Sequence, residues 1–466
     1  MNTQIQQDER QRPHIFQRVL ELAHRYYEQE DNLPPGRYVA DIPFEDLPNK
    51  GKGALNTLNF FDERYSSLIP ASAGPRYFAF VTGGSTPAAV AGDWLVSVYD
   101  QNACGSNDSI APQLERQTIH YLRQLFGLTE DFYGAFVTGA TMSNFVGLAI
   151  ARQWIGEQHG IDVSNDGIGE IPIKIVSGTP HSSILKSMSM LGIGKRALKT
   201  VDVLPNREAV DLQKLEDVLA SEEAPVIVVA NAGTVNTGDF DDLAAIAELK
   251  KKYNFWLHVD GAFGGFAASS EKFRHLMDGV LAADSVTVDA HKWLNVPYDA
   301  AMQFTRHPKL QLKIFQNSAA YLTDPAKSSD FFHYTPESSR RWRALPAWFT
   351  LHAYGRDGYS EIVERNCALA SQLGELIQSS DEFRLLSQVR LNIVCFTLAE
   401  DVGEQGIRNF LSVVRDRGEV YLTPTTYKGI PAIRAAISNW QTQPGDIERA
   451  FQSMQKSLNE LRLANV

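Results

Sequence analysis

A lysine, a histidine and an aspartate follow an apolar segment near residue 290. Residues 285–294 read SVTVDAHKWL, so Asp289, His291 and Lys292 come at the end of a predicted buried strand. A lysine amine becomes a useful nucleophile when burial or a neighbouring cation lowers its pKa. Lys292 is therefore a candidate for a covalent bond to a carbonyl carbon, although a surface lysine at a strand end explains these residues equally well.

A second candidate, Asp260, ends the apolar segment FWLHVD, and the small residues GAFGG follow it closely. A carboxylate at the carboxyl end of a strand points into the crevice where α/β sheets bind ligands. The small residues leave room for a flat ring, but Asp260 alone could also cap the next turn. Together with Lys292, it fits a cofactor that has a pyridine ring and an aldehyde group. With such a cofactor a carboxylate partners the ring nitrogen and a lysine binds the aldehyde.

Three more junctions between predicted strands and helices carry polar groups. Ala140 and Thr141 lie where GAFVTGATMSN turns from strand to helix, and free backbone N–H groups at a helix start can bind an anion. His181, in SGTPHSSIL, could stack on a ring and transfer protons, or it could cap the following helix. Thr234, in NAGTVN, could bond to ring substituents or stabilise its own turn. Each signal is weak alone, but all of them fall at the same predicted edge of one sheet.

Alternating strands and helices must position these residues. The strand candidates are GAFVT (134–138), IKIVSG (173–178), PVIVVAN (225–231), FWLHVD (255–260), SVTVD (285–289) and AAMQFT (300–305). The helical windows between them are 142–157, 181–192, 211–221 and 241–253, the last with Asp241 at its start. Apolar strands separated by helices predict a mostly parallel sheet that is covered on both faces.

The remaining residues predict two further regions beside a large domain at 76–310. Residues 1–75 combine a predicted helix at 11–30 with a Pro- and Gly-rich linker and form an N-terminal segment. Residues 311–466 begin with an irregular polar loop and continue as a smaller α/β domain. Its predicted elements are helices at 348–354 and 358–379 and strands at 392–397 and 433–437.

Composition excludes several classes of function. The net charge of −11 and the absence of a basic stripe argue against nucleic-acid binding. No run of about 18 apolar residues predicts a membrane span, and the polar N-terminus does not resemble a targeting peptide. The three widely spaced cysteines show no metal-binding pattern and no disulfide framework. We therefore expect a cytoplasmic protein without a metal site.

The sequence resembles the group II pyridoxal 5′-phosphate (PLP)-dependent amino-acid decarboxylases. HVDGAF and DAHKWLNVP carry the resemblance, which extends from PRYFAF at 75–80 to AIRAAISNW at 432–440. The family includes aromatic-amino-acid, glutamate, histidine and diaminobutyrate decarboxylases. The resemblance implies the aspartate-aminotransferase-like fold, known as PLP fold type I, and PLP as the cofactor. It also implies a homodimer with its sites at the interface.

The resemblance also implies a role for each matching residue. Lys292 would bind the cofactor covalently, and Asp260 would keep the ring nitrogen protonated. Ala262 would pack beneath the ring and His181 above it. The phosphate would contact Ala140, Thr141 and His291, and Thr234 would contact the ring. Arg434 would meet a substrate carboxylate, although a structural ion pair is an equal interpretation.

The predicted loop departs from the family pattern. Relatives carry a tyrosine there that is thought to protonate the substrate after CO₂ leaves, whereas the matching place in SSDFFHYTPESSRRW holds Phe331 or Phe332. Tyr334 is our candidate donor, and His333 is a neighbouring alternative. Asp289 stands where several relatives have asparagine.

The expected reaction is decarboxylation of an L-amino acid to an amine. Phe80 lies where glutamate decarboxylases have a polar residue, which favours a substrate with an aromatic or apolar side chain. The polar segment NACGSNDSIAP (102–112) favours the opposite, and an aromatic L-amino acid is the expected substrate. Two alternatives stay open among enzymes of this fold: decarboxylation coupled to oxidative deamination, which gives an aldehyde, and carbon–carbon bond cleavage. A third alternative is an inactive homologue that serves as a binding partner.

Overall fold

The computed structural model describes residues 3–105, 108–317, 324 and 329–464. A sheet of seven strands forms the centre of the larger part. The strands are β1 (Tyr133–Val137), β2 (Ile175–Ser177), β3 (Leu198–Thr200), β4 (Val226–Asn231), β5 (Phe255–Asp260), β6 (Ser285–Asp289) and β7 (Ala301–Thr305). Their order in the sheet is β1-β7-β6-β5-β4-β2-β3.

Six of the seven strands run in the same direction. Strand β7 lies antiparallel to both β1 and β6, whereas the other pairings in the sheet are parallel. The carboxyl ends of β1, β2, β4, β5 and β6 therefore meet at one edge of the sheet. This arrangement confirms the mostly parallel sheet.

Helices cover both faces of this sheet. They are α4 (Ala111–Phe126), α5 (Ala140–Gln158), α6 (Val163–Asp166), α7 (Ser182–Met190), α8 (Leu212–Ser221), α9 (Leu243–Lys252) and α10 (Pro308–Phe315). Strand β4 shows why both faces need cover. Ile227 and Val229 belong to the core beneath α5 and α7, whereas Val228 and Ala230 belong to the core beneath α4 and α9. Successive side chains of a strand point to opposite faces, so a continuously apolar strand is buried on both.

A smaller antiparallel sheet, in the order β10-β11-β9-β8, follows in the chain. Its strands are β8 (Phe383–Leu385), β9 (Ile393–Leu398), β10 (Thr423–Tyr427) and β11 (Ile430–Ala436). The helices that accompany it are α11 (Ala344–Gln378), α12 (Gly403–Arg417) and α13 (Pro444–Ala464). Helix α11 joins the two helices predicted from the sequence across a break at Gly355, whose φ is 60°. The predicted α/β fold class is confirmed.

The N-terminal segment contains α1 (Thr3–Gln29) and α2 (Ala54–Tyr65), and α3 (Pro87–Tyr99) follows. A connection without a strand or an α-helix joins α1 to α2, as the Pro- and Gly-rich composition predicted, and its residues from 37 to 52 are exposed. Neither α1 nor α2 has a buried residue. The division of the chain at residues 75 and 310 stays a prediction.

One helix start differs from the sequence prediction. Asp242, rather than Asp241, caps α9, because its carboxylate accepts the backbone N–H of Ala245. Asp241 is buried and instead accepts the backbone N–H groups of Asn231 and Val210. Two adjacent aspartates give the same local signal, and only the tertiary contacts distinguish them.

Among the described residues no helix is long and apolar enough to cross a membrane. That part of the chain also contains no group of three histidine, cysteine, aspartate or glutamate side chains that could hold a metal ion. The three cysteines are free and buried.

Candidate active site

A cavity of about 310 Å³ opens at the edge of the sheet where β1, β2, β4, β5 and β6 end. The strand ends and the loops after them supply most of its wall, and β11 and the segment before α3 supply the rest. Ten residues predicted from the sequence line it: Phe80, Ala140, Thr141, His181, Thr234, Asp260, Ala262, His291, Lys292 and Arg434. The fold therefore brings together residues that lie more than 350 positions apart in the chain.

Lys292 lies after the end of β6 on a turn that its neighbours hold in place. Its Nζ is 3.4 Å from Asp289 Oδ2, and the amine is largely buried. The next residue, Trp293, is fully buried, and its indole N–H donates to Asn366 Oδ1. The buried Trp293 fixes the turn beside Lys292 and so limits the positions that the amine can reach. This favours one geometry for a covalent bond to the amine.

Asp260 ends β5 with both carboxylate oxygens engaged. Oδ1 accepts the backbone N–H of Ala262 at 3.2 Å, and Oδ2 accepts Asn144 Nδ2 at 2.9 Å. The side chain is buried and still lines the cavity. The turn contact and the cavity position, which the sequence left as alternatives, therefore occur together.

His181 also combines the two interpretations that the sequence allowed. It is the N-cap of α7, where its Nδ1 accepts the backbone N–H of Ser183. Its ring nevertheless lines the cavity. Burial lowers the pKa of His181, and the positive charges of Lys292 and Arg434 lower it further against the opposing effect of Asp260. The imidazole is therefore neutral at neutral pH.

A candidate anion seat lies where β1 leads into α5. The N-cap residue of the helix is Gly139, which has no side chain with which to cap the first N–H groups. A Cβ at position 139 would be 3.6 Å from His291 Cε1, so the imidazole lies beside the helix start. His291 Nδ1 donates to Ala300 O at 3.0 Å, and burial lowers the pKa of this histidine. Ala140 and Thr141 occupy the first turn, where an anion would meet the backbone N–H groups.

Arg434 reaches the cavity from the smaller sheet. Its Nη1 donates to Val235 O at 2.9 Å, while its buried Nε has no hydrogen-bond partner in the described part of the chain. The described residues provide no ion pair for this guanidinium, which was the alternative that the sequence left open. Thr234 lies beside Val235 in the same loop, and its hydroxyl lies 3.0 Å from Thr237 Oγ1.

The segment that carries Phe80 has a strained backbone. Phe80 and Val81 have φ values of 54° and 61°, which residues with a Cβ seldom adopt. The side chain of Phe80 is exposed at the cavity, whereas Val81 is buried. Gly83 then packs so closely on the turn of Lys292 that a Cβ there would lie 2.0 Å from Lys292 O. Strain of this kind concentrates at functional sites, where surrounding contacts enforce it.

Comparison with known proteins identifies the family of this chain. The model of the pyridoxal-dependent decarboxylase conserved domain matches residues 55–399. The chain belongs to the pyridoxal-dependent decarboxylase family. An aromatic-L-amino-acid decarboxylase of Bacillus atrophaeus is 26% identical over 434 residues, which is 90% of this chain and 88% of the relative.

Solved structures agree with this assignment at the level of the fold. A Catharanthus roseus tryptophan decarboxylase in complex with L-tryptophan has a TM-score of 0.85 and 22% identity, and the match covers 98% of each chain. A Rhodiola rosea 4-hydroxyphenylacetaldehyde synthase has a TM-score of 0.83 and 21% identity, with 95% of this chain and 96% of that chain covered. The expected aspartate-aminotransferase-like fold is confirmed, and the protein is a PLP-dependent carboxy-lyase.

The residues of this decarboxylase fit PLP. The cavity offers an amine for the aldehyde, a buried carboxylate for the ring nitrogen and an uncapped helix start for the phosphate. Asn144 holds one oxygen of that carboxylate, so the group is oriented before any ligand binds. These three groups are the ones that the chemistry of PLP requires.

The candidate proton donor lies outside this cavity. The turn at Phe331–His333 buries Phe331 and Phe332, and the ring of Tyr334 packs on Tyr133 with 4.7 Å between ring centroids. Tyr133 begins β1, whereas the cavity lies at the other end of that strand. Tyr334 therefore does not line the cavity of its own chain, because the packing of the two phenylalanines turns it towards the opposite end of the sheet. Ser328, at the start of the predicted loop, lies outside the described residues.

Sequence reasoning missed two buried groups of the decarboxylase site. Asn144 contacts Asp260 from helix α5, and His258, two residues before Asp260 on β5, contacts Asn144. Both occupy positions of apolar segments where a polar residue is unusual. A polar residue within an apolar segment could have indicated Asn144 and His258 from the sequence, because a buried polar group needs a hydrogen-bond partner.

The buried His258 should make stability depend on pH. Burial lowers its pKa from 6.5 to about 4, against the opposing charge of Asp260. Between these two values the unfolded chain binds a proton that the folded chain does not, so stability falls as the pH falls from 6.5 to 4. We expect the stability difference between wild type and His258→Gln to shrink by about 3 kcal/mol over that range. Denaturant unfolding at several pH values would measure it, and a constant difference would contradict the neutral, buried histidine.

Proposed function

We propose that the protein decarboxylates an aromatic L-amino acid to the corresponding amine. The observation that carries the proposal is one cavity containing Lys292, Asp260, His181 and Arg434, beside the aromatic residues Phe80 and Phe263. The aromatic-L-amino-acid decarboxylase of Bacillus atrophaeus supports the substrate class by its name.

Each side chain has a defined task in this proposal. Lys292 binds the cofactor covalently, and Asp260 holds a proton on the ring nitrogen. The helix start at Ala140 and Thr141, with His291 beside it, binds the phosphate. When bound, PLP supplies a conjugated ring that accepts the electron pair left when the bond to the carboxylate breaks.

The remaining residues orient the ring and the substrate. His181, Ala262 and Thr234, which line the cavity, would hold the ring of the cofactor. Arg434 donates to the substrate carboxylate before CO₂ leaves. Phe80 packs on the substrate side chain, and the apolar wall keeps water away from the reacting atoms.

Arg434 gives a test of substrate binding. Arg434→Met removes a charge-assisted hydrogen bond to the carboxylate, so we expect the KM to rise about tenfold to a hundredfold. Arg384→Met is the matched control, because Arg384 is exposed on β8 of the same small sheet. An unchanged KM in the Arg434 variant would remove this residue from the substrate site.

The second candidate function depends on whether a side chain donates the proton that replaces CO₂ at Cα. The resemblance implies that Phe331 or Phe332 stands where relatives have tyrosine, and no tyrosine among the described residues lines the cavity. Without a proton donor at Cα, O₂ could take two electrons from the carbon that has lost CO₂ and leave as H₂O₂, and water would then hydrolyse the resulting imine to an aldehyde and ammonia instead of an amine. The Rhodiola rosea relative, a 4-hydroxyphenylacetaldehyde synthase by its name, has the same fold.

In the main proposal Tyr334 donates that proton in the cavity of a second chain. Its own chain places it against Tyr133, away from the cavity. Tyr334→Phe should then lower amine formation more than CO₂ release. Equal losses of both products would remove Tyr334 from this role.

A homodimer is consistent with the surface of the N-terminal segment. Helix α1 exposes Ile5, Phe16 and Tyr27, and α3 exposes Trp94 and Val98. Exposed apolar side chains on helices with little burial indicate an interface. The free cysteines agree with a reducing cytoplasm.

Product analysis distinguishes the candidate functions. The PLP-loaded protein would be incubated with single L-amino acids, including DOPA and diaminobutyrate, and CO₂, amine, aldehyde and H₂O₂ would be measured. The proposal expects amine and CO₂ in equal amounts with an aromatic substrate. Aldehyde with H₂O₂ would favour the second function. Cleavage of a carbon–carbon bond other than the one to the carboxylate would give neither pattern. No product from a cofactor-loaded protein would indicate an inactive homologue.

A further inference from the structure

A chain of hydrogen bonds lies behind the cavity wall, with Asn144 at its centre. The Asn144 side chain is fully buried. Its Nδ2 is 2.9 Å from Asp260 Oδ2 and 3.0 Å from Ser183 Oγ, and its Oδ1 is 2.9 Å from His258 Nε2. One amide thus contacts the carboxylate of the candidate cofactor site and the serine that is hydrogen-bonded to His181.

One end of the chain fixes the direction of these bonds. The indole Nε1 of Trp256 lies 3.0 Å from Ser285 Oγ and can only donate. Ser285 accepts from the indole, and His258 Nδ1, 2.8 Å away, is the acceptor that the described residues provide for the hydroxyl hydrogen. The proton of His258 must then be on Nε2, from which it donates to Asn144 Oδ1.

The other end imposes the same direction independently. The backbone N–H of Ser183 points to His181 Nδ1 at 3.3 Å and can only donate, so Nδ1 carries no proton. Ser183 Oγ, at 2.8 Å from Nδ1, donates to it as well and must accept from Asn144. The amide nitrogen of Asn144 therefore faces Ser183 and Asp260, in agreement with the first end.

The two histidines are neutral within this chain. Burial lowers the pKa of His258 to about 4 and also lowers the pKa of His181. A neutral His181 with a bare Nδ1 carries its proton on Nε2. The described residues provide no partner for that atom.

We propose that Asn144 is a positioning residue that fixes His181 in the Nε2-protonated tautomer while it holds Asp260 in place. His181 then presents a hydrogen-bond donor to the cavity and has no free lone pair with which to remove a proton. The tautomer follows from the hydrogen bonds alone. Its consequence, that His181 acts as a neutral donor to the bound molecule, rests on the proposed function.

Neutron diffraction from perdeuterated crystals of the full, PLP-loaded chain would test the proposal directly. We expect deuterium on Nε2 of both His181 and His258, and none on either Nδ1. Deuterium on Nδ1 of His181 would overturn the proposal. The measurement does not depend on turnover, so a protein with these tautomers and no decarboxylase activity would refute the proposed function and keep this inference.

A variant pair tests the role of Asn144 in solution. Asn144→Asp keeps the size of the side chain but replaces its two N–H donors by an acceptor beside Asp260. We expect PLP to dissociate at least about tenfold more readily, with a shifted absorbance of the bound cofactor. Asn392→Asp is the control, because Asn392 is equally buried but donates to Ile437 O in the small domain. Equal cofactor retention by the two variants would contradict the positioning role, and the neutron result applies even if neither variant folds.

Discussion

Replacing Lys292 with alanine is expected to remove the covalently bound cofactor and to lower turnover on the order of 10⁴–10⁶-fold, the scale observed when a covalent nucleophile is lost. The amine is the only protein group in the proposal that bonds to the cofactor aldehyde. Its turn is anchored by the buried Trp293, so neighbouring groups cannot move into its place. Visible absorbance of the purified protein and product formation would be measured on the same sample.

The control for this variant is another lysine. Lys186→Ala removes an exposed amine from α7, the helix that His181 caps, and should leave absorbance and turnover unchanged. Bound cofactor that survives borohydride reduction and denaturation of Lys292→Ala would contradict the assignment, because another amine would then hold the aldehyde.

Replacing Arg340 with alanine is expected to lower the free energy of unfolding by about 3–5 kcal/mol. Arg340 and Glu115 form an ion pair at 2.9 Å, and their side chains are 1% and 0% exposed. Arg340 also donates to the carbonyl groups of Phe136 and Ala103. Loss of the Arg340 side chain leaves the buried Glu115 carboxylate without a cation and removes the hydrogen bond to Ala103 O. The midpoint of denaturant unfolding would measure the change.

Two further variants make this prediction specific. Arg341→Ala, at the next residue, breaks an exposed pair with Asp93 and should cost at most about 1 kcal/mol. The double variant Arg340→Met with Glu115→Leu should lose less stability than Arg340→Ala, because no unpaired charge remains buried. Similar losses for Arg340→Ala and Arg341→Ala would show that the buried pair is not a structural anchor.

The placement of Asp260 and Lys292 in one cavity was predictable from the sequence. Both lie at the carboxyl ends of strands that the sequence predicts to be buried, and parallel strands end at the same edge of a sheet. The helix start at Ala140 and Thr141 carries a similar local signal. Such signals depend on a few neighbouring residues, so they survive without knowledge of the rest of the fold.

The location of Tyr334 was not predictable in this way. Its position depends on the burial of Phe331 and Phe332 and on contact with Tyr133, which lies more than 200 positions earlier in the chain. The same holds for Asn144 and its contact with Asp260, which joins a helix to a strand that comes later in the sequence. No local pattern records which distant side chain a polar group will meet.

The sequence by itself determined the family, through HVDGAF and DAHKWLNVP, the alternation of strands and helices around the large sheet, and which strand ends carry chemical groups. Periodicity and the residues at strand ends suffice for the alternation and for the strand ends, because they reflect local geometry and burial. Only the tertiary structure decided that His181 is both a helix cap and part of the cavity wall, that Arg434 has no ion pair among the described residues, and that Tyr334 faces away from its own cavity. These outcomes depend on packing between distant segments, where the free energy of burial selects one arrangement from several that the local sequence allows.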